Sequence, residues 1–341
     1  IDKILGDDAS LFCDLFNVSE KGNFEGKNIL HKTEISHKLY DTITDVEKNK
    51  IKSSIKKLYD ARAKRIRPLT DDKILTSWNG MALSAFTRGY QVTRDKKYLD
   101  AALKNASFVR SELFRSNALT HSYRKGIHSD GAFLEDYAYY LKGLLDLYEL
   151  DRSDNNVQWI QFASQLASEA IELFMDDNGK LYLRPDSLND LIMRPSDETD
   201  SAVPAAGSIL LQSLVKLHRI TGDADFINAF EKGINALTAK MKIYPNGMAS
   251  AVLALDYFLN DKIEIVVVGD SSEKEKIFEL VDASYIPNSV IAYHPNGDVD
   301  IPLFENRKVT DGELQVYVCI NSVCKLPVST ADEFQIQLNE F

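Results

Sequence analysis

Apolar residues along this chain recur at helical spacing in long blocks that restart after short polar turns. Three of these turns share a pattern, an N-cap residue followed three positions later by an aromatic: Asp95 and Tyr98, Asn156 and Trp159, Asp223 and Phe226. Asp and Asn satisfy free N–H groups at a helix start, so each turn marks a helix beginning a few residues after another ends. Tyr98 and Trp159 stand 61 residues apart, and Trp159 and Phe226 stand 67 apart. That period holds two helices of about 20 residues and their connections, so the predicted unit is a helical hairpin.

The two helices of each hairpin differ. The second ones are amphipathic, as in Tyr98, Ala101, Ala102, Asn105, Phe108, Val109 and Leu113, and predict an outer layer. The first ones, Ile74 to Gln91, Phe133 to Glu149 and Val203 to His218, are apolar over more of their circumference and predict buried inner helices. Alternating inner and outer helices describe an α/α toroid. Turns from inner to outer helix are short, whereas the returns, about Ser116 to Gly131 and Asp176 to Asp200, are long and should build one elaborated face around a mouth lined by inner-helix starts.

Upstream, Asp7 to Phe16 and Asp41 to Ala63 read as further helices. From Ile263 the pattern becomes a buried-strand run, Ile-Glu-Ile-Val-Val-Val-Gly, followed by a helical Ser272 to Val281 and strand-like Val290 to Tyr293 and Leu314 to Ile320. The expected fold class is therefore mainly α, an incomplete (α/α)6 toroid over residues 1–262 with a small C-terminal α/β module over 263–341. The strand-Gly-Asp start of that module has neither G-x-G-x-x-G nor Gly-Lys-Ser/Thr, which argues against a nucleotide site there.

Composition narrows the function classes. The 341 residues are 44% hydrophobic and 27% charged, enough apolar content for a large core, with a formal net charge of −11. A surface of that sign repels phosphate backbones and anionic lipid, so neither nucleic acid nor membrane is an expected partner. No apolar run approaches the roughly 20 residues of a membrane span. Cys13, Cys319 and Cys324 are too few for a disulfide framework and lead us to expect free structural thiols in a cytoplasmic protein, with the C-x4-C pair a redox candidate. The chain begins Ile1-Asp2-Lys3 without a signal-peptide pattern, which suggests a fragment of a longer protein.

Aligning the inner-helix starts by the repeat brings Trp78-Asn79-Gly80, Glu135-Asp136-Tyr137 and Asp200 through Pro204 to one mouth. Aromatics with carboxylates suit a sugar cleft, because pyranose faces stack on rings and carboxylates accept hydroxyl hydrogen bonds or act as acid and base. The alternative is equally physical: Trp78 and Tyr137 as core aromatics, and Glu135, Asp136 and Asp200 as first-turn carboxylates favoured by the helix dipole. Adjacent helical residues project about 100° apart, so only one of Glu135 and Asp136 faces any given atom. The expected acid/base carboxylates are Asp72, Asp136 and Asp200, with Trp78, Asn79, Arg124, Glu135 and Tyr137 binding substrate. Lys73 and Arg194 are further charge-balancing candidates, and His121 and His128 lie in a long return loop. No H-E-x-x-H or similar ligand spacing occurs, so no metal and no cofactor is expected.

From Arg67-Pro68 and DDKILTSWNGMALSA, through GNFEGKNIL, AFLEDYAYYLKGLLDLYE, IEIVVVG, AYHPNG and YVCINSVCKLPV, the chain resembles the spermatogenesis-associated protein 20 and YyaL family. The resemblance covers nearly the whole chain. It implies a six-hairpin toroid similar to N-acylglucosamine 2-epimerase and six-hairpin glycosidases, normally preceded by a thioredoxin-like domain that is absent here. Where the family commonly reads Pro-Ser-Gly-Asn-Ser, this chain has Pro204-Ala205-Ala206-Gly207-Ser208, losing an amide and a hydroxyl near the mouth. Two functions follow as expectations: a toroid that binds or processes a sugar derivative, or a non-catalytic scaffold for the absent thioredoxin-like domain, with thiol exchange at Cys319 and Cys324.

Overall fold

A computed structural model describes residues 1–187, 191–309 and 313–340, which fall into two compact units, Ile1–Asp71 and Asp72–Phe341. The first unit contains helices α1 (Asp2–Leu5), α2 (Ala9–Leu15), α3 (Glu34–Thr42) and α4 (Asp45–Ala63). Its small core joins Leu5, Phe12 and Leu15 to Ile51 of α4. A reciprocal capping box starts α4: Glu47 N–H donates to Thr44 Oγ1 at 3.3 Å, and Thr44 N–H donates to Glu47 at 2.8 Å.

In the second unit, inner helices α5 (Thr76–Thr93), α7 (Leu134–Leu150), α9 (Ala206–Thr221) and α11 (Ala249–Leu259) alternate with outer helices α6 (Lys96–Phe108), α8 (Val157–Phe174) and α10 (Ala224–Ile243). The architecture is the mainly helical α/α toroid arrangement expected, with a small module of strands and helices at the C-terminal end. Helix α7 lies between α5 and α9 and is buried almost all round, through Tyr137, Tyr140, Leu141, Leu144 and Tyr148. Outer helix α8 instead buries one stripe, Trp159, Phe162, Ala163, Leu166, Ala170 and Phe174, as its 3.6-residue period requires. The closest crossing, α5 on α7, depends on two glycines. A Cβ on Gly80 would stand 2.5 Å from backbone atoms of Tyr139 and Tyr140, and one on Gly143 would stand 2.8 Å from the Gly80 carbonyl oxygen.

Two of the three hairpin turns have the predicted chemistry. Arg94 and Gly222 end α5 and α9 in the left-handed conformation, and Asp95 and Asp223 accept N–H bonds at the next helix starts, at 3.1 and 2.9 Å. Asn156 departs from the expectation. Its amide donates to the Tyr293 carbonyl at 3.0 Å and makes no cap, while Asp151 accepts the Trp159 indole N–H at 2.7 Å. The first long return is not simple loop. It forms two small antiparallel sheets, β2 (Phe114–Arg115) with β3 (Ala118–Leu119), and β4 (Ser122–Arg124) between β1 (Ile74–Leu75) and β5 (Ile127–His128).

The C-terminal module is a four-stranded mixed sheet, ordered β7 (Ser289–His294), β6 (Ile263–Val268), β8 (Gln315–Ile320), β9 (Val323–Cys324), with α12 (Lys274–Ala283) and α13 (Ala331–Leu338). Alternation divides its central strand. Ile265 and Val267 pack with Phe278, Val316 and Phe334, whereas Val266 and Val268 join the helical core. Buried Asp282 anchors the module by accepting from Arg152 at 2.8 and 3.1 Å and pairing with Arg94 at 2.8 Å. No helix among the described residues is long and apolar enough to cross a membrane.

The glycine crossing sets a test. Ala is favoured over Gly by about 1 kcal/mol in a helix interior, yet overpacking a tight core site costs about 1–3 kcal/mol or more. Urea unfolding of Gly80→Ala should therefore show net destabilisation, while Gly89→Ala, whose Cβ would meet only the Tyr98 ring at 3.3 Å, should be neutral or stabilised.

Candidate active site

Parallel inner helices gather their N-termini at one end of the unit, and two carboxylates tie those ends together. Asp136, in the first turn of α7 and fully buried, accepts from Phe133 N–H at 2.9 Å and, across the helix pair, from Ser77 N–H in the first turn of α5 at 2.9 Å. Asp200 does the same for the next pair, accepting from Ala205 N–H ahead of α9 and Ser250 N–H in α11, both at 2.8 Å. Each carboxylate thus satisfies free N–H groups of two helices at once, where the helix dipoles also favour negative charge. Burial opposes ionisation of Asp200, but backbone donation from Ala205 and Ser250 prevails and holds its carboxyl below the usual range. The Pro204-to-Ser208 segment has no capping side chain at Ala205, and Asp200 supplies that cap from five residues upstream.

The expectation of Asp136 and Asp200 as a catalytic carboxylate pair is corrected by this geometry, because each has its oxygens engaged in separate helix caps. Asp72 is corrected for another reason: Lys125, 3.2 Å away, and Arg124 hold its exposed carboxyl below the usual range, so it is no proton donor. Arg124 is likewise occupied by Asp72. Tyr137 is 1% exposed and cannot serve as a stacking surface; its hydroxyl accepts from Leu119 N–H at 3.1 Å and donates to Glu169 at 3.3 Å. Asn79 donates to the Leu75 carbonyl at 2.8 Å and accepts from Asn105 at 3.0 Å, a structural role. Arg194 donates to the Arg184 and Leu173 carbonyls, each at 2.6 Å.

His121, Glu135, Trp78 and Tyr139 also stand at or near these helix starts. His121, from the first long return, places Nδ1 2.9 Å from Asp136 Oδ2, with its ring edge-on to Phe133 at 4.8 Å. The carboxylate fixes Nδ1 as the donor and leaves Nε2 as the proton-exchanging atom. The hydrogen bond to Asp136 is the main cause that raises the His121 pKa, against partial burial. Glu135 is half-buried; burial first, then the Asp136 charge, pushes its carboxyl above the usual glutamate range. Its Oε1 lies 3.4 Å from Ser77 Oγ, and the next residue, Trp78, is 66% exposed. Tyr139 donates to the Pro204 carbonyl at 2.5 Å, with its own pKa pushed up to about 12 by burial. His121, Glu135 and Asp136 each bring a ligand-type atom within 4.8 Å of one another. Asp136 already accepts two N–H groups and the imidazole. Sequence reading placed His121 in the right loop without assigning it to the site; its pairing with Asp136 arises only when β4 returns beside β1.

The opposite end holds a cavity of about 420 Å³ between the C-terminal halves of α5, α7 and α9 and residues 284–289. Its charges neutralise one another: Lys142 with Asp146 at 2.6 Å, and Lys216 with Glu149 at 2.6 Å. Cys319 and Cys324, expected as free structural thiols, are joined in a disulfide.

Asp136→Asn should cost about 2–4 kcal/mol, since one carboxamide face presents N–H to N–H. Histidine NMR should show His121 returning toward an ordinary pKa in this variant. The sign is set by the raised folded value: the His121 contribution is complete below the unfolded pKa and vanishes as pH rises through the folded one, so this part of the loss is largest in acid. Asp200→Asn should destabilise comparably and leave the His121 titration unchanged.

No protein-family model matches the chain. It is 27% identical to spermatogenesis-associated protein 20 of Homo sapiens over 92% of its length and 42% of that protein, and 27% identical to the Rattus norvegicus protein over 94% and 43%. An uncharacterized Caenorhabditis elegans protein is 26% identical over 100% of the chain and 51% of its own length. The chain therefore spans about half the length of these relatives or less. Among solved structures, cellobiose 2-epimerase from Bacillus thermoamylovorans superposes with a TM-score of 0.40 and 17% identity, over 50% of this chain and 45% of that one. Unsaturated glucuronyl hydrolase from Bacillus sp. GL1 gives 0.38 and 18%, over 51% and 49%. A family 105 glycoside hydrolase from C. acetobutylicum gives 0.41 and 12%, over 60% and 61%. In sequence, then, the chain is similar to spermatogenesis-associated protein 20 across nearly all of its own length.

Proposed function

We propose that the helical unit binds and processes a carbohydrate at the end where its inner helices begin, with Glu135 as proton donor, His121 Nε2 as proton acceptor and Trp78 as stacking platform. The single observation that carries this reading is a half-buried carboxyl, Glu135, gathered within 4.8 Å of an imidazole that Asp136 orients; Trp78, in the first turn of the neighbouring helix α5, is 66% exposed. Burial keeps Glu135 protonated to higher pH than a free glutamate, which suits donation to a sugar oxygen. Asp136 orients the imidazole and stabilises the imidazolium formed when Nε2 accepts a proton, and is here a positioning residue. Acid and base placed this way suit hydrolysis of a glycosidic bond or proton transfer at a sugar carbon, the two activities expected of such a toroid.

Thermal shift of the full chain against a panel of neutral and acidic mono- and disaccharides tests it. A ligand at 100-fold its Kd stabilises the bound state by about 2.7 kcal/mol, readily seen as a higher melting temperature. Trp78→Ala should abolish the shift, and Glu135→Gln should retain binding while losing turnover of whichever sugar binds. Absence of stabilisation across the panel, or an unchanged shift in Trp78→Ala, contradicts the proposal.

A further inference from the structure

The Cys319–Cys324 hairpin takes no part in the chemistry above, and its surroundings are unusual for a structural crosslink. Asn321 and Ser322, both at positive φ (50° and 68°), turn β8 into β9, so that Cys319 and Cys324 face each other in the antiparallel register. The disulfide therefore joins two residues that the ladder already pairs, five apart in sequence. A crosslink of this kind closes almost no chain that the hairpin has not closed already. The two sulfurs are also unequal. Cys319 is fully buried on the inner side of the hairpin, whereas Cys324 is exposed on the two-residue edge strand. Arg307 lies beside both sulfurs. Its guanidinium donates to the Leu303 carbonyl at 2.6 Å and to Glu264 at 2.5 Å, and Nη2 lies 3.2 Å from Cys319 Sγ and 3.8 Å from Cys324 Sγ.

We propose that the Cys319–Cys324 bond is a thiol-exchange site, opened at Cys324 by an external dithiol. A thiolate of that reductant attacks the exposed Cys324 Sγ, forming a mixed disulfide. The Cys319–Cys324 bond breaks, and its electron pair leaves on Cys319 Sγ, where the Arg307 guanidinium stabilises the developing charge. The second thiol of the reductant, as thiolate, then attacks its own sulfur in the mixed disulfide and releases Cys324 as thiolate. Two reductant thiols are oxidised to one disulfide, one protein disulfide becomes two thiols, and the protons balance through water. Glu264 holds Arg307 in place and is a positioning residue for the leaving sulfur. The sugar mouth shares none of these groups, so this site stands or falls independently of it.

Dithiothreitol and reduced glutathione are the probes, applied to the oxidised, folded full chain, with rapid alkylation and peptide mass mapping as the readout. Dithiothreitol should open the bond without denaturant, and the reduced chain should keep its helical circular dichroism and its cooperative melt. The transient glutathione adduct should map to Cys324. Arg307→Met should slow opening by about threefold to tenfold, the effect expected when a leaving thiolate loses an adjacent cation, and Arg307→Lys should restore most of the rate. If Arg307→Met destabilises the module, the adduct position in wild type still decides. A bond that opens only in denaturant, an adduct on Cys319, or a melt lost on reduction would each overturn the assignment in favour of a structural crosslink.

Discussion

A helix N-terminus leaves N–H groups without partners, and four parallel inner helices bring those groups together at one end of the unit. Two carboxylates, the buried Asp136 and the half-buried Asp200, meet that demand. Asp136 accepts from the starts of α5 and α7, and Asp200 from the starts of α9 and α11, so neighbouring inner helices are fixed to one another at a common level. The glycine crossing of α5 on α7 depends on this registry, because Gly80 and Gly143 meet only when the two helices begin at matched heights. The long returns depend on it as well. β1 leads straight into α5, and β4 pairs with it, which brings His121 to the third face of the Asp136 carboxylate.

The same arrangement sets the electrostatics of its neighbours. A carboxylate fixed by two N–H groups is a poor proton carrier, but it orients an imidazole and raises its pKa, and its charge adds to burial in raising that of Glu135. Adjacent residues thus differ in what they meet: Asp136 accepts from the backbone of the helix pair, and Glu135, about 100° around α7, is half-buried beside Ser77 Oγ. At the far end, the pairing of Lys142 with Asp146 and Lys216 with Glu149 satisfies charge within the protein, leaving a cavity whose polarity is balanced.

Much of the fold was legible because it rests on periodicity. The inner and outer helices, the polar turns at Asp95 and Asp223, and the strand run from Ile263 all announce themselves through spacing and residue type. The site was legible only in part. Position in or just ahead of a first helical turn identifies Glu135, Asp136 and Asp200 as neighbours of the helix starts, but the direction of each carboxylate depends on a partner helix whose placement no local pattern encodes. Asp136 and Asp200 turn to the backbone, Tyr137 turns into the core, and Trp78 alone of the expected aromatics remains exposed. His121 was hidden because its pairing with Asp136 requires strand pairing across the 46 residues that separate Leu75 from Ser122. Asn156 looks like a cap in sequence and serves instead as a tether to Tyr293, since the C-terminal sheet competes for its amide.

The central claim is that one carboxyl at this end is kept protonatable while its neighbours are committed to the fold. Side-chain carboxyl carbon-13 NMR across pH, on the full chain and on Glu135→Gln, measures it directly. A glutamate resonance that titrates above the ordinary range of about 4.3, disappears in the variant and moves on sugar binding is the predicted result. Glu135 titrating as an ordinary exposed glutamate would contradict it.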